Sequence, residues 1–438
     1  MAGAGALTKT FSPLIFFLGF ALWIDRVPWV PSAYVAPLSV FVASALLPFL
    51  LPRLFRIQVG LPSTIAMTLA LWLTSWGAFL LIRDGYALSF LPWEVRLEAY
   101  TRQVITLWSG LMLFFVVATL VPSPRERQTL LWGASWGGAI SAGIGLLQRL
   151  GVPLEEKVRG LLGLPVFPGR AAGLAAEPAH FATFLVLFGV PLALLGALKK
   201  DRFHRIWGLG LLFVYGLNLF FSQSLVGFAL LAVFVSAFVT LSLFIRGMNR
   251  SGILVFGLLI GLLVSGWLFE QISYARTQLE SLLKGEPTVS FHDRFWGLAG
   301  GLNAWISDSQ ALFGYGLGGH GYRLEKILPK KVAQEVLQVK DEKFPALNSF
   351  FGRILADGGI VAAGLLSCLA LYGLVRGYNL TKTKEHGIAS LVFLPAWIAT
   401  LAAVAVGGQG SLAAPSFWFW LAVLSSWKER GPGLANSD

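Results

Sequence analysis

The chain has 438 residues, of which 56% are hydrophobic and only 13% are charged, and its net charge is +12. A water-soluble domain cannot bury this much apolar surface, so the composition excludes a soluble enzyme and favours a membrane protein. Cys368 is the only cysteine of the sequence and lies in an apolar stretch, which excludes an internal disulfide bond and any site built from several cysteines.

Twelve apolar stretches follow one another along the chain, each close to the length of about 20 residues that a helix needs to cross a bilayer. The first, seventh and last are short, so a count of eleven is also open. Lipid offers no partner to an open backbone, so every span is predicted to be an α-helix. The chain, 1–438, is predicted to be a single all-α membrane domain with spans at about 11–25, 31–51, 61–83, 103–121, 128–150, 175–198, 206–221, 224–245, 251–270, 355–376, 387–406 and 411–427.

Basic residues are distributed unequally between the two sides of these spans. Alternate short connections and both termini carry many more basic than acidic residues, whereas the opposite side is nearly balanced. By the positive-inside rule, both termini are cytoplasmic and the long segment 271–346, between spans nine and ten, faces outward. No basic stripe remains on a soluble surface, so nucleic acid is excluded as a partner.

The outward loop 271–346 carries sequence patterns of its own. Bare backbone N–H groups in its glycine-rich stretch 314–321, which reads GYGLGGHG, suit an anion or a sugar hydroxyl. The GxGxxG match inside it does not indicate a nucleotide site, because no strand–helix unit surrounds it. A surface helix is predicted over 329–344. Another amphipathic surface helix is predicted from apolar residues at three- and four-residue spacing, namely Phe291, Phe295, Leu298, Leu302 and Trp305.

Residues 169–180 run from an outward connection into the sixth span and read GRAAGLAAEPAH. Pro178 suits the first turn of a helix, and Glu177 suits the position before it. One interpretation gives Glu177 a capping role and lets Arg170 reach the lipid headgroups. The alternative is a functional site, in which Arg170 grips an anion beside Glu177 and His180, two groups that can take a proton.

Arg294, a second outward arginine, opens the first surface helix of the loop. It is either a lipid anchor or a partner of Arg170, because two guanidinium groups can together clamp a pyrophosphate.

Asn348, Arg353 and Asp357 open the tenth span at a spacing that places them on roughly one face. An ion pair between Arg353 and Asp357 is the simpler interpretation for that aspartate. Neither HExxH nor a carboxylate cluster indicates a metal site.

These segments resemble the bacterial O-antigen polymerase and O-antigen ligase superfamily, whose members have about twelve spans and a large periplasmic loop late in the sequence. The resemblance in topology extends over the whole chain. Ligases of this superfamily carry a histidine directly before the asparagine that matches Asn348. This chain has Leu347 there, so it is more similar to a polymerase. The motifs that carry the resemblance are Arg170 with Gly173 and Glu177-Pro178, Arg294 with Trp296, Phe313–Gly319, and Asn348 followed by Asp357-Gly358-Gly359.

The resemblance implies a glycosyltransferase of the bacterial inner membrane, with its active site at the periplasmic face and with no metal, nucleotide sugar or other cofactor. Donor and acceptor would both be glycans on undecaprenyl pyrophosphate, with membrane lipids and a chain-length regulator as further candidate partners. The candidate catalytic residues are Glu177 as the first choice of base, with His180 and His320 in reserve. The candidate pyrophosphate- and sugar-binding residues are Arg170, Arg294, Tyr322, Asn348 and Arg353.

Two other functions stay open from the sequence. A ligase of the same superfamily would move the glycan to lipid A core or to a protein; Leu347 argues against it unless another histidine takes that role. A small-anion transporter would use Arg170, Glu177 and His180 along its pathway, although no internal repeat indicates a structure built from two inverted halves.

Overall fold

The structure, a computed structural model, describes residues 2–27, 37–54, 60–84, 92–152, 154–167, 169–244, 280–281, 284, 289–307, 312–330, 332–334, 346–382, 387–406 and 411–427. Within those ranges the chain is helical and contains no strand, as the all-α class requires. The helices are α1 (Ala2–Ala21), α2 (Leu38–Leu54), α3 (Leu61–Asp84), α4 (Trp93–Leu120), α5 (Pro124–Arg149), α6 (Leu154–Leu161), α7 (Pro178–Ala197), α8 (Arg202–Ser222), α9 (Leu225–Phe244), α10 (Val289–Ser307), α11 (Leu324–Ile327), α12 (Phe350–Thr381), α13 (Gly387–Ala405) and α14 (Pro415–Ser426).

Seven of the described helices are long and apolar enough to cross a membrane, namely α3, α4, α5, α7, α8, α9 and α12. The predicted seventh span, which looked short in the sequence, is α8 and has 21 residues. Shorter apolar helices lie at Ser12–Ala21, Leu38–Leu54 and Leu391–Ala405. These helices indicate a membrane protein. The predicted ninth span, 251–270, lies outside the described residues, so the count of eleven or twelve spans stays a prediction.

Helices α1 and α5 pack closely because glycines line their contact. A Cβ atom at Gly133 would collide with the backbone oxygen of Phe16, and one at Gly19 would collide with that of Leu130. The Trp23 indole, at the end of α1, donates to the backbone oxygen of Ala134 at 2.8 Å. Gly133 and Gly137 form a GxxxG pair in the sequence, a spacing that favours close helix packing, and both glycines lie at this contact. The second such pair, 257–261, lies outside the described residues.

Helix α7 contains a π-helical turn over Leu185–Gly189, which Pro191 follows. Because proline has no N–H, the carbonyl of Leu187, four residues earlier, loses its usual intrahelical donor. The Trp420 indole of α14 fills that gap and donates to Leu187 O at 2.8 Å from a fully buried position. A local helix defect thus becomes a connection between two distant helices.

Replacing Trp420 by phenylalanine should lower the stability of the protein by about 1–3 kcal/mol, because it leaves the buried Leu187 carbonyl without a donor. The melting temperature of purified protein in detergent measures this loss. Trp136→Phe is the matched control, since Trp136 is 43% exposed and its replacement should change the melting temperature little. Equal melting temperatures for Trp420→Phe and wild type would show that the bond contributes nothing.

Helix α12 is broken at Gly359, where φ is 61° and ψ is −155°. This conformation is available to glycine and avoided by residues with a side chain. A Cβ atom at Gly359 would collide with the backbone oxygen of Leu312 and lie 2.7 Å from the backbone nitrogen of Gly314. The sequence pattern predicted one continuous span from about residue 355; the helix instead begins at Phe350 and bends around an incoming loop.

The glycine-rich loop 314–321 is the segment that packs against this break. Tyr315 N and Gly316 N donate to the backbone oxygens of Ala356 and Asp357 at 2.9 Å each. Three of the loop glycines have φ values between 81° and 85°, so the chain can follow the helix closely only with glycine at those positions. The helix predicted before the loop is observed as α10. The one predicted over 329–344 falls mostly outside the described residues.

The opposite end of the bundle holds a network of basic groups. Arg53 and Glu126 form an ion pair at 2.7 Å, and the guanidinium carbon of Arg127 lies 4.1 Å from the ring centre of Trp427. Arg376 donates to the backbone oxygen of Trp427 at 2.9 Å. These residues belong to the connections predicted to be cytoplasmic, and the contacts join them at one end of the bundle.

Candidate functional site

Residues 169–177 form a non-helical stretch that leads into α7 and is held by side chains of α5. Gln148 Oε1 accepts hydrogen bonds from Ala172 N at 2.6 Å and Gly173 N at 2.9 Å. Ser141 Oγ accepts one from Leu174 N at 3.0 Å. Because buried backbone groups need partners, these two polar side chains allow an open chain segment to lie inside an apolar bundle.

Arg159 supports the same stretch from the other side. Its side chain is fully buried, and its guanidinium donates to the backbone oxygens of Pro165 and Gly173. Gly173 has a φ of 53°, and a Cβ atom there would lie 2.5 Å from the Phe181 ring and 2.6 Å from Ser141 Oγ. Arg159 has no predicted role from the sequence. Its pattern resembles that of any charged residue in an outward connection, so only the tertiary contacts reveal it.

Arg170 is half-buried and tied to the end of α8. Its Nε and Nη2 donate to the backbone oxygen of Ser222 at 3.1 and 2.9 Å, and the neighbouring Ala171 N donates to Phe221 O at 3.0 Å. The last carbonyls of a helix have no intrahelical donor and carry partial negative charge, which a guanidinium satisfies. Arg170 is therefore held by the scaffold and does not extend freely along the lipid surface.

Three ionisable side chains line up where residues 169–177 join α7. Asp25, just after α1, is 7% exposed and accepts the Ala176 N–H through Oδ1 at 2.8 Å. Its Oδ2 lies 2.9 Å from His180 Nδ1, and His180 Nε2 lies 3.3 Å from Glu177 Oε1. The side chains of His180 and Glu177 are 42% and 46% exposed. We call Asp25, His180 and Glu177 the acid–histidine array; it runs from the protein interior to the surface.

The structure bears on the capping interpretation of Glu177. Glu177 is the N-cap residue of α7 and Pro178 begins the helix, as predicted. Its side chain, however, makes no capping hydrogen bond and lies beside His180 instead. Asp25 was missed because it ends the first predicted span, 155 residues from its partner His180. One signal in the sequence could have found Asp25: a carboxylate at the edge of a span is costly, which indicates a functional or structural role.

Arg294 approaches the array from α10. Its charge acts on His180, together with the charges of Glu177 and Asp25. Glycines hold α10 against the start of α12: a Cβ atom at Gly301 would lie 2.5 Å from the backbone oxygen of Gly352. The structure thus brings the loop arginine to the end of the bundle that carries residues 169–180.

Asn348 and Arg353 lie at the same contact between α10 and α12. A Cβ atom at Gly297, one turn after Arg294, would lie 3.1 Å from the backbone oxygen of Asn348. Arg353 Nε donates to the backbone oxygen of Leu347 at 2.5 Å. Both Asn348 and Arg353 are half-buried, so each retains some accessible surface.

His320, a reserve choice of base, is buried in the glycine-rich loop. It is 1% exposed, and its Nδ1 lies 2.7 Å from Asp357 Oδ1. Its Nε2 accepts the Leu347 N–H at 3.2 Å. Asp357 also accepts the N–H groups of Gly318 and His320 at 3.0 and 3.2 Å. The anion that the glycine-rich loop binds is therefore Asp357, and both ring nitrogens of His320 are engaged in holding the loop.

Tyr322 is packed against Leu81 of α3, and its hydroxyl is buried with no hydrogen-bond partner among the described residues. The pKa of Tyr322 is raised to about 12, mainly by burial and secondarily by the negative charge of Glu98, while Arg96 acts in the opposite direction. A buried hydroxyl is poorly placed to hold a sugar, which was its predicted role.

Tyr322→Phe should therefore leave transport or transfer activity unchanged and should make the protein more resistant to alkali. A tyrosine whose folded pKa is raised favours the folded state fully below the unfolded pKa of about 10, and this contribution is lost as pH rises towards 12. Melting temperatures of wild type and Tyr322→Phe should diverge between pH 10 and 12, with the variant losing less. Parallel curves, or a loss of activity at neutral pH, would contradict this assignment.

No group of three or more His, Cys, Asp or Glu residues in the described part of the chain could hold a metal ion. Comparison with protein-family models gives no match, and no curated protein matches the chain.

Proposed function

We propose that the protein is a membrane glycosyltransferase that transfers a glycan from a polyprenyl pyrophosphate carrier to a second carrier-linked glycan. The observation that carries this proposal is the acid–histidine array with the Arg294 charge acting on it. It combines proton-accepting groups with a cation at the end of an apolar bundle. A lipid-held pyrophosphate and a sugar hydroxyl need both of these features.

The chemistry assigns a task to each part of the site. The acceptor hydroxyl attacks the anomeric carbon of the donor glycan, whose bond to the pyrophosphate oxygen breaks as the new glycosidic bond forms. The His180–Glu177 pair takes the hydroxyl proton, and the pyrophosphate leaves with its lipid. Negative charge grows on the leaving oxygen, and Arg294 stabilises it, as preorganised cations do for other developing anions.

Arg170 completes the grip on the pyrophosphate in this proposal. Its bonds to the Ser222 backbone oxygen fix the guanidinium, so little side-chain freedom is lost on binding. Arg170 and the Glu177 base belong to one stretch held by α5, which supports their acting on the same substrate.

A polymerase-type reaction is supported over ligation by the surroundings of Leu347. This residue stands where the resemblance gives ligases a histidine, and the backbone N–H of Leu347 donates to His320 Nε2. His320 therefore contacts the backbone at the position of the ligase histidine, yet it is buried and both of its ring nitrogens are hydrogen-bonded. It is not available to replace the missing ligase histidine.

Reconstituted protein tests the proposal directly. Purified protein in liposomes receives a synthetic polyprenyl pyrophosphate-linked oligosaccharide, and products are separated by chain length. The expected result is stepwise elongation with release of polyprenyl pyrophosphate, at the face predicted to be periplasmic in a bacterial inner membrane. Transfer only to lipid A core or to protein would mean a ligase. Movement of anions into the liposomes without any transfer would mean a transporter.

A further inference from the structure

We infer that Asp25 is a positioning residue that directs proton transfer through His180, an inference that rests on the proposed function. Asp25 is the buried member of the acid–histidine array, and nothing in the sequence pattern assigns it a role. It does not reach the reacting atoms. Its effect is exerted through the imidazole ring.

Two hydrogen bonds fix the orientation of the Asp25 carboxylate. Oδ1 accepts from Ala176 N at 2.8 Å, and this backbone donor belongs to the stretch held rigidly by α5. Oδ2 is consequently turned towards His180 Nδ1 at 2.9 Å. At 7% exposure the carboxylate has little water to compete with the ring, which strengthens the interaction.

This orientation determines which ring nitrogen exchanges protons. A carboxylate oxygen can only accept, so Asp25 keeps a hydrogen on Nδ1, and the proton that exchanges is the one at the opposite nitrogen, Nε2, between the ring and Glu177. Nε2 faces Glu177, and both of these side chains are half exposed. The charged groups that act on the ring are Asp25, Glu177 and Arg294. Asp25 takes no proton itself; it balances the positive charge on the ring.

Asp25→Asn is the most informative variant, because it puts a donor opposite His180 Nδ1 in place of an acceptor and keeps an acceptor for Ala176 N. The asparagine oxygen can still accept from Ala176 N, while its NH₂ group replaces the oxygen opposite Nδ1. A donor at that place drives the ring hydrogen from Nδ1 to Nε2. We expect kcat for glycan transfer to fall about 10²–10⁴-fold, with KM for the lipid-linked donor unchanged, because the arginines are untouched. The pH–rate inflection that the His180–Glu177 pair produces should disappear.

The chain provides a matched control in a second aspartate–histidine pair. Asp201 Oδ2 lies 2.5 Å from His204 Nδ1 at the start of α8, far from the array. Asp201→Asn makes the same chemical change there and should leave kcat, KM and the pH profile as in wild type. A loss in Asp201→Asn equal to that in Asp25→Asn would overturn the inference, as would a wild-type kcat in Asp25→Asn.

A spectroscopic readout separates this inference from the proposed function. Nitrogen-15 NMR of histidine-labelled protein in nanodiscs, with His180→Gln to assign the signal, reports which ring nitrogen carries hydrogen. We expect hydrogen on Nδ1 of His180 in wild type and its loss from Nδ1 in Asp25→Asn. Hydrogen on Nδ1 in both proteins overturns the positioning role. If wild type transfers no glycan while the NMR change occurs, the proposed reaction fails and the positioning of His180 stands.

Discussion

Replacing Arg294 by alanine is expected to reduce the rate of glycan transfer about 10²–10³-fold, which corresponds to roughly 2.7–4 kcal/mol of transition-state stabilisation. The reason is electrostatic: in the proposed reaction the leaving pyrophosphate gains negative charge beside Arg294, whose charge also acts on His180 of the acid–histidine array. Arg294→Lys should recover only part of the rate, because an ammonium group cannot form the paired hydrogen bonds that a guanidinium forms with phosphate oxygens. Initial rates of elongation in liposomes measure both variants.

Arg83→Ala is the control for the change in charge. Arg83 lies at the end of α3, is exposed, and stacks on the ring of Phe79 at 5.2 Å. Its removal also takes one positive charge from the protein but should leave the transfer rate near that of wild type. Equal losses in both alanine variants would indicate a general effect of charge, and a normal rate in Arg294→Ala would remove this residue from the mechanism.

Gly359→Ala is expected to destabilise the protein by about 3 kcal/mol, which is the upper end of the range for a residue with a side chain forced into a glycine-only conformation. The added methyl group would collide with the backbone oxygen of Leu312, and no side chain is there to move aside. The loop 314–321 would have to leave the break in α12, and the buried His320–Asp357 pair would be lost with it. The amount of folded protein extracted from membranes and its melting temperature should both fall sharply.

Gly364→Ala, five residues further along α12, supplies the comparison. A Cβ atom at Gly364 meets nothing within 4 Å. Alanine is favoured over glycine inside a helix by about 0.8–1 kcal/mol, so this variant should be as stable as wild type or slightly more stable. If both variants behave alike, the break at Gly359 does not hold the loop in the way the structure indicates.

The sequence predicted the helical membrane architecture and several of its local features well. Apolar length alone identifies spans such as α3 and α9, and Pro178 marks the start of α7 through proline's tolerance of the first helical turn. The packing role of Gly133 follows from small residues at helix contacts. Each of these features depends on neighbours in the chain, so a single sequence contains the signal.

The site could be predicted only in part because its contacts are tertiary. Glu177 and His180 were chosen from their position at the start of a span, and Arg294 from its position on the outward loop helix. In the structure Glu177 lies beside His180, and the charge of Arg294 acts on that histidine. The Asp25–His180 and His320–Asp357 pairs join residues far apart in the chain, so they produce no periodic pattern in the sequence. The simpler interpretation of Asp357, an ion pair on its own helix, overlooked that a bend at Gly359 allows a loop to reach its carboxylate.

Binding of the leaving group alone tests the central claim most directly, because it requires no acceptor and no turnover. Undecaprenyl pyrophosphate and undecaprenyl phosphate are titrated separately onto wild type, Arg170→Lys and Arg294→Ala in nanodiscs, and native mass spectrometry gives the bound fractions. We predict that wild type prefers the diphosphate and that each variant loses most of this preference while binding the monophosphate as before. Equal binding of the two lipids by wild type, or an unchanged preference in both variants, would contradict a pyrophosphate-holding site at this end of the bundle.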